Sequence, residues 1–320
     1  MKNNEIKNIL IVGAAGGLAR ITCGLICKKY PNAKVIGIDN RNDSDPMKRE
    51  NFTFKRIKYT RGNFEALFRE QDFDIVLHLG RLSHSKGTTH ASVAQRLDLN
   101  VMGTGRILDL CLRYKVKRVI ILSTHHVYGA LNDNPVYIKE DSPLRASIKY
   151  PELRDVTEMD QLCANWMWKN QGQIETVILR PCNIIGPQIN NSISQYLKTP
   201  YAPVGIDFNP MFQFIHEFDM ARILVKSMRK IPTGIYNIAP DESISLRAAK
   251  EIIGMPILNA PIVGLEPMAK VIKKLWSFPD YLLDYIKYSC IIDNSEIKKY
   301  LKDDGFRFST RESLELLKLQ

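Results

Sequence analysis

Three glycines and an aspartate are the first residues whose types and spacing point to chemistry. Gly13, Gly16 and Gly17 lie in the run Gly13-Ala14-Ala15-Gly16-Gly17-Leu18-Ala19, directly behind the apolar stretch Ile9–Val12. Glycine lets a backbone turn tightly and approach a pyrophosphate. A helix that opens at Gly17 and Leu18 would add free N–H groups and a positive dipole. Asp39 closes the next apolar run, Val35-Ile36-Gly37-Ile38. A carboxylate there accepts hydrogen bonds from both adenosine ribose hydroxyls and repels a 2′-phosphate. Turn and carboxylate together predict a dinucleotide, NAD in preference to NADP. Arg41 pulls the other way, because an arginine nearby accommodates a 2′-phosphate.

Such groups work only on a rigid frame, and the chain has the means to build one. Its 320 residues are 45% hydrophobic and 25% charged, ordinary values for a globular protein with a sizeable core. Short apolar runs at Ile9–Val12, Lys34–Ile38, Asp74–Leu79, Val119–Leu122 and Thr176–Leu179 read as buried strands. Segments with helical spacing separate them: Leu18–Lys29, Glu65–Glu70, Ala91–Tyr114 and Pro151–Asn170. This alternation predicts an α/β protein, a doubly wound parallel-sheet Rossmann fold. After about Gly186 the alternation weakens and a smaller C-terminal substrate lobe is expected. The division expected is 1–185 for the dinucleotide-binding domain, with 212–238 returning to it, and 186–211 plus 239–320 for the lobe.

Charge and cysteines bound the partners. The chain carries 45 Lys+Arg against 34 Asp+Glu, a net +11, which attracts phosphate. The basic residues are scattered, with the densest groups at Lys270/Lys273/Lys274 and Lys298/Lys299, so no nucleic-acid partner is expected. The six cysteines show no CxxC spacing and read as reduced core residues. No metal set is expected. The start, MKNNEIKN, lacks the apolar core of a secretion signal, and no stretch is long and apolar enough to span a membrane. A cytoplasmic location is the expectation.

A longer series of motifs follows in order. It runs Gly62-Asn63, His78-Leu79-Gly80-Arg81, Asn100-Val101-Met102-Gly103-Thr104 and Ser123-Thr124-His125-His126-Val127-Tyr128-Gly129. Then come Leu179-Arg180-Pro181-Cys182-Asn183-Ile184-Ile185-Gly186-Pro187 and Phe214-Ile215-His216-Glu217-Phe218-Asp219-Met220-Ala221. With the glycine turn and Asp39, this series resembles the extended short-chain dehydrogenase/reductase family, in particular its nucleotide-sugar epimerase/dehydratase branch. The resemblance implies NAD held by Gly13, Gly16, Gly17, Leu18, Asp39, Asn63, Phe64, Leu79, Gly80, Arg81, Asn100 and Pro181. It implies a catalytic tyrosine with a lysine four residues later and a Ser or Thr that orients the substrate hydroxyl. By position these are Tyr150, Arg154 and Thr124, with His125, His126, Asn183 and Phe212 facing the substrate. His216 reads as structural. The implied activity is epimerisation or oxidoreduction of a secondary alcohol, on a nucleotide-linked sugar, by a homodimer.

Several departures stand out. Arg154 replaces the family's lysine; it keeps the charge, but its planar fork is not equivalent to a compact ammonium. His125-His126 replace the Asp-Glu pair of the 4,6-dehydratases, which argues against water loss. One imidazole is a candidate acid/base; the alternative is that one packs inward and the other caps a turn. Phe212 stands where the relatives place an arginine on the substrate diphosphate. These changes leave open an NAD-binding regulatory or scaffold protein with little turnover, and a reductase of a lipid-like alcohol. The basic amphipathic stretch Met268–Trp276, with Tyr281 and Tyr285 after it, reads as a lid over the substrate cleft or as a membrane-touching surface.

Overall fold

The computed structural model describes residues 5–42, 47–80, 92–261, 279, 281–301 and 305–319. The strands are Asn8–Val12 (β1), Lys34–Asp39 (β2), Phe52–Arg56 (β3), Ile75–His78 (β4), Arg118–Leu122 (β5), Glu175–Pro181 (β6), Asn183–Ile185 (β7), Ala202–Gly205 (β8), Met211–Phe212 (β9), Phe214–His216 (β10), Gly234–Ile238 (β11), Ile244–Ser245 (β12) and Ile257–Ala260 (β13). Seven of them form one sheet in the order β11-β6-β5-β4-β1-β2-β3, every neighbouring pair parallel. The order reverses between β1 and β4, and the carboxyl ends of those strands open a crevice there.

Alternation along β1 shows why the sheet is buried on both faces. Ile9 and Ile11 enter one core cluster, Leu10 and Val12 the other, so a run with no polar residue is what each face demands. The helices cover both faces. They begin with Gly17–Lys29 (α1), Arg61–Glu70 (α2), Val93–Arg96 (α3), Gly103–Arg113 (α4), Ala146–Lys149 (α5) and Arg154–Lys169 (α6). Ser192–Lys198 (α7), Glu217–Ser227 (α8), Leu246–Ile253 (α9), Tyr281–Lys287 (α10), Ser295–Leu301 (α11) and Thr310–Lys318 (α12) follow. Helix α1 buries Leu18, Ala19, Thr22, Cys23, Ile26 and Cys27, a stripe at helical spacing. All six cysteines are buried and unbridged.

Two helical expectations need correction. The stretch expected as one helix over Ala91–Tyr114 is α3 and α4 joined by a π turn at Leu97–Met102. The helix expected from Pro151 begins as a 3₁₀ turn, Pro151–Leu153, before α6. Edge strand β3 was not expected: Phe52, Phe54 and Lys55 are only half-buried, so it lacks the apolar run of its neighbours. Beyond β6 lie three two-stranded sheets, β7–β10, β8–β13 and β9–β12. The Met268–Trp276 stretch lies outside the described residues. No helix among the described residues is long and apolar enough to cross a membrane.

Candidate active site

The crevice is made by backbone approaching backbone. Gly13 follows β1 with φ +87°, and a Cβ there would sit 2.3 Å from the Gly80 Cα behind β4. The Gly13 and Ala14 N–H groups donate to the Ile38 carbonyl, at 2.8 and 3.0 Å. A Cβ on Gly17 would meet the Gln188 carbonyl oxygen at 2.1 Å, while Gly16 has nothing nearer than 3.4 Å. Gly13, Asp39, Tyr59, Phe64, His78, Gly80, Leu99 and Asn100 are among the walls of a cavity of about 40 Å³. Asn63 stays outside it; this exposed residue donates through Nδ2 to the Lys58 carbonyl, at 2.9 Å. Leu79 donates its N–H to Val12 O at 3.0 Å, joining β4 to β1. Arg81 lies outside the described residues.

His78 forms the inner wall. Its Nε2 lies 2.8 Å from Thr104 Oγ1, and burial lowers its pKa to about 4. The unfolded chain therefore binds one more proton than the folded chain between pH 4 and 6.5, so stability falls as the pH drops through that window. The expected loss attributable to His78 is about 3 kcal/mol by pH 4. Urea unfolding of wild type and His78→Gln across pH 4–7 checks it, and equal acid slopes would refute it.

A second cavity, about 110 Å³, opens at the carboxyl ends of β5 and β6. Thr124, His125, His126, Pro181, Asn183, Ser192, Tyr281 and Leu282 are among its walls. Thr124 caps the 3₁₀ turn His125–Tyr128 and accepts from the His126 N–H at 3.3 Å. The two imidazoles divide their tasks. His125 is 1% exposed with Nδ1 3.0 Å from the Pro181 carbonyl, so it packs inward. His126 is half-buried and lies edge-on to Tyr281 and Tyr285, with centroids 5.5 and 4.9 Å away. Asn183 donates Nδ2 to Gln213 O at 3.1 Å.

The structure does not bring Tyr150 and Arg154 to this cavity. The Tyr150 phenol donates to the Ala130 carbonyl at 3.0 Å, outside the cavity wall. Burial first, then Asp284, Tyr288 and Glu152, push its pKa well above the usual phenol range, the opposite of what a proton acceptor needs. The Arg154 side chain is 58% exposed and pairs with Glu158, Nε to Oε1 at 2.5 Å. The cause is the phase of α6. Asp155 turns inward instead, accepting from Asn100 Nδ2 at 2.6 Å with Arg96 Nε 3.6 Å away. Arg96 also donates to the Glu152 carbonyl at 3.3 Å. These contacts hold the first turn so that Arg154 faces solvent.

Phe212 is also away from the cavity wall. It is 4% exposed and stacked on Phe214, opposite Ile244 in the β9–β12 pair. His216 caps α8, its Nδ1 accepting from the Phe218 N–H at 3.2 Å. Sequence reasoning assigned no role in the site to Ser192, which no motif marks. Behind the cavity, Arg180 of β6 binds Asp160 of α6 through two hydrogen bonds, 2.6 and 3.0 Å, and Ser123 donates to the same carboxylate.

The sheet order, the glycine turn at the switch point and Asp39 define a Rossmann-type dinucleotide-binding protein. A family model, the NAD dependent epimerase/dehydratase family, matches residues 9–239. The chain belongs to that family, whose cofactor is NAD. An uncharacterised protein of Mycobacterium tuberculosis is 26% identical over 265 residues, 81% of this chain and 69% of that one. Among solved structures, dTDP-glucose 4,6-dehydratase of Bacillus anthracis in complex with NAD superposes with a TM-score of 0.73 at 17% identity, covering 98% of this chain and 96% of that one. UDP-glucose 4-epimerase of Thermotoga maritima with UDP-glucose gives 0.72 at 18% identity, covering 98% and 97%. The fold is thus that of nucleotide-sugar enzymes. The residues present fit the cofactor: at Gly16 nothing lies nearer than 3.4 Å, so that part of the turn is open, and Asp39 sits at the end of β2 beside it, accepting from the Ala15 N–H.

Proposed function

We propose that the chain is an NAD-dependent epimerase or oxidoreductase acting on a secondary alcohol of a nucleotide-linked sugar. The observation that carries this reading is the cavity beside the crevice, with Thr124, His126 and Asn183 in one wall set. NAD, when bound, supplies the hydride acceptor. Thr124 offers its hydroxyl to the reacting oxygen and Asn183 a side-chain amide to the substrate. His126 takes the alcohol proton in this reading, supported by its ring in the cavity wall and by Tyr150 donating to Ala130 elsewhere. Removing one acid/base group costs about 10²–10⁴ in rate.

Turnover against a panel of UDP- and dTDP-sugars tests the assignment. His126→Gln is expected to lower kcat by about 10²-fold or more, and Tyr150→Phe by less than about tenfold. The reverse pattern returns the proton to the phenol. The exposed Arg154–Glu158 pair favours a second reading, a cofactor-holding protein with little turnover. Wild type that binds NAD and leaves the whole panel unchanged selects it.

A further inference from the structure

Asp39 is not vacant. Its Oδ2 accepts from the Ala15 N–H at 3.1 Å and from Arg41 Nη2 at 3.0 Å. Its Oδ1 accepts from the Arg41 N–H at 2.9 Å and from Arg41 Nε at 3.1 Å. An ionised carboxylate offers about four acceptor positions, and four donors fill them. Ribose hydroxyls therefore reach Asp39 only after the Arg41 fork lets go.

The fork is free to do so. The Arg41 side chain is 63% exposed, so water solvates the guanidinium as it moves, whereas the Asp39 carboxylate, 3% exposed, keeps the Ala15 and Arg41 backbone N–H donors when the fork leaves. Arg41 Nη2 stands 3.9 Å from where a Gly16 side chain would begin, so the guanidinium lies over the glycine turn. A second cation flanks it. Arg56 lies opposite Asp39 in the β2–β3 register and donates Nε to Asn40 O at 3.1 Å. The end of β2 thus carries two guanidiniums and one carboxylate whose charge is already neutralised. A guanidinium binds a phosphate through two parallel hydrogen bonds.

We propose that Arg41 is a 2′-phosphate ligand held in reserve on Asp39, so that the site accepts NADP as well as the family's NAD. With NADP the fork keeps Nε on Asp39, so the carboxylate stays neutralised, and presents its outer N–H groups to the phosphate while Arg56 supplies the second charge. With NAD the fork is displaced and Asp39 takes the hydroxyls. This inference rests on the dinucleotide site and adds to it a phosphomonoester subsite.

Calorimetric titration of NAD and NADP into the full chain at fixed ionic strength tests it, with wild type and Arg41→Ala side by side. Wild-type affinities for the two are expected within about tenfold of each other. Arg41→Ala is expected to weaken NADP by about tenfold or more while leaving NAD unchanged or tighter. A wild-type preference for NAD beyond tenfold overturns the proposal, as does equal weakening of both ligands by Arg41→Ala. Failure of wild type to bind NAD at all overturns the dinucleotide site itself, a distinguishable result.

Discussion

Gly13→Ala is expected to abolish dinucleotide binding and to cost about 2–4 kcal/mol of stability. Two terms add. The residue sits at φ +87°, where an L side chain costs about 1–2 kcal/mol. Its new Cβ would then lie 2.3 Å from Gly80 Cα and 2.5 Å from Gly80 N. Both are backbone atoms, so no rotamer change relieves the overlap; the tails of β1 and β4 must separate. That separation spoils the crevice where the cofactor binds. Gly62→Ala is the control, because nothing lies within 4 Å of its Cβ position, and alanine there is expected to be neutral or slightly stabilising. Urea midpoints and NAD titration check both. A Gly13→Ala protein with wild-type midpoint and affinity would mean the two strand ends are not in contact.

Arg180→Met is expected to destabilise the protein by about 3–5 kcal/mol. Arg180 is 2% exposed and Asp160 fully buried. Besides Asp160, the guanidinium donates to the Tyr128 hydroxyl and the Glu140 carbonyl, each at 2.8 Å. Removing the cation leaves a buried carboxylate held, among the described residues, by the Ser123 hydroxyl alone. The double variant Arg180→Met with Asp160→Leu removes both charges, and most of the loss is expected to return. Chemical unfolding of the single and double variants decides the matter; a single variant within 1 kcal/mol of wild type would show the pair to be dispensable. Turnover is expected to fall with stability, because Ser123 immediately precedes Thr124 and shares the network.

The strands and the glycine turn were legible because their causes are local. A sheet covered on both faces demands unbroken apolar runs, and a close approach demands glycine at one place. Strand β3 escaped because an edge position tolerates an exposed Thr53 and a half-buried Lys55. The phase of α6 escaped for a different reason. One residue of helix is about 100° of rotation, and motif spacing alone does not fix it. Contacts from Arg96 and Asn100, more than fifty positions earlier, turn Asp155 inward and Arg154 out. Tyr281 and Leu282 enter the cavity wall from the far end of the chain; the amphipathic pattern before them offered either a lid or a membrane-touching surface, and no local feature chose between the two. The contest between Asp39 and Arg41 was visible as two residues; the bidentate pair that joins them was not.

The position of β11 means that one flank of the sheet closes late in the chain. Residues 234–238 pair with Val177–Pro181 of β6 and complete the sheet on that side. Until they emerge, β6 is an outer strand with apolar side chains Val177, Ile178 and Leu179 and a row of unpaired peptide groups. Such an edge recruits other strands. A nascent chain that has released residues 1–185 therefore has its nucleotide crevice largely assembled but its flank open, and self-association competes with the arrival of the closing strand.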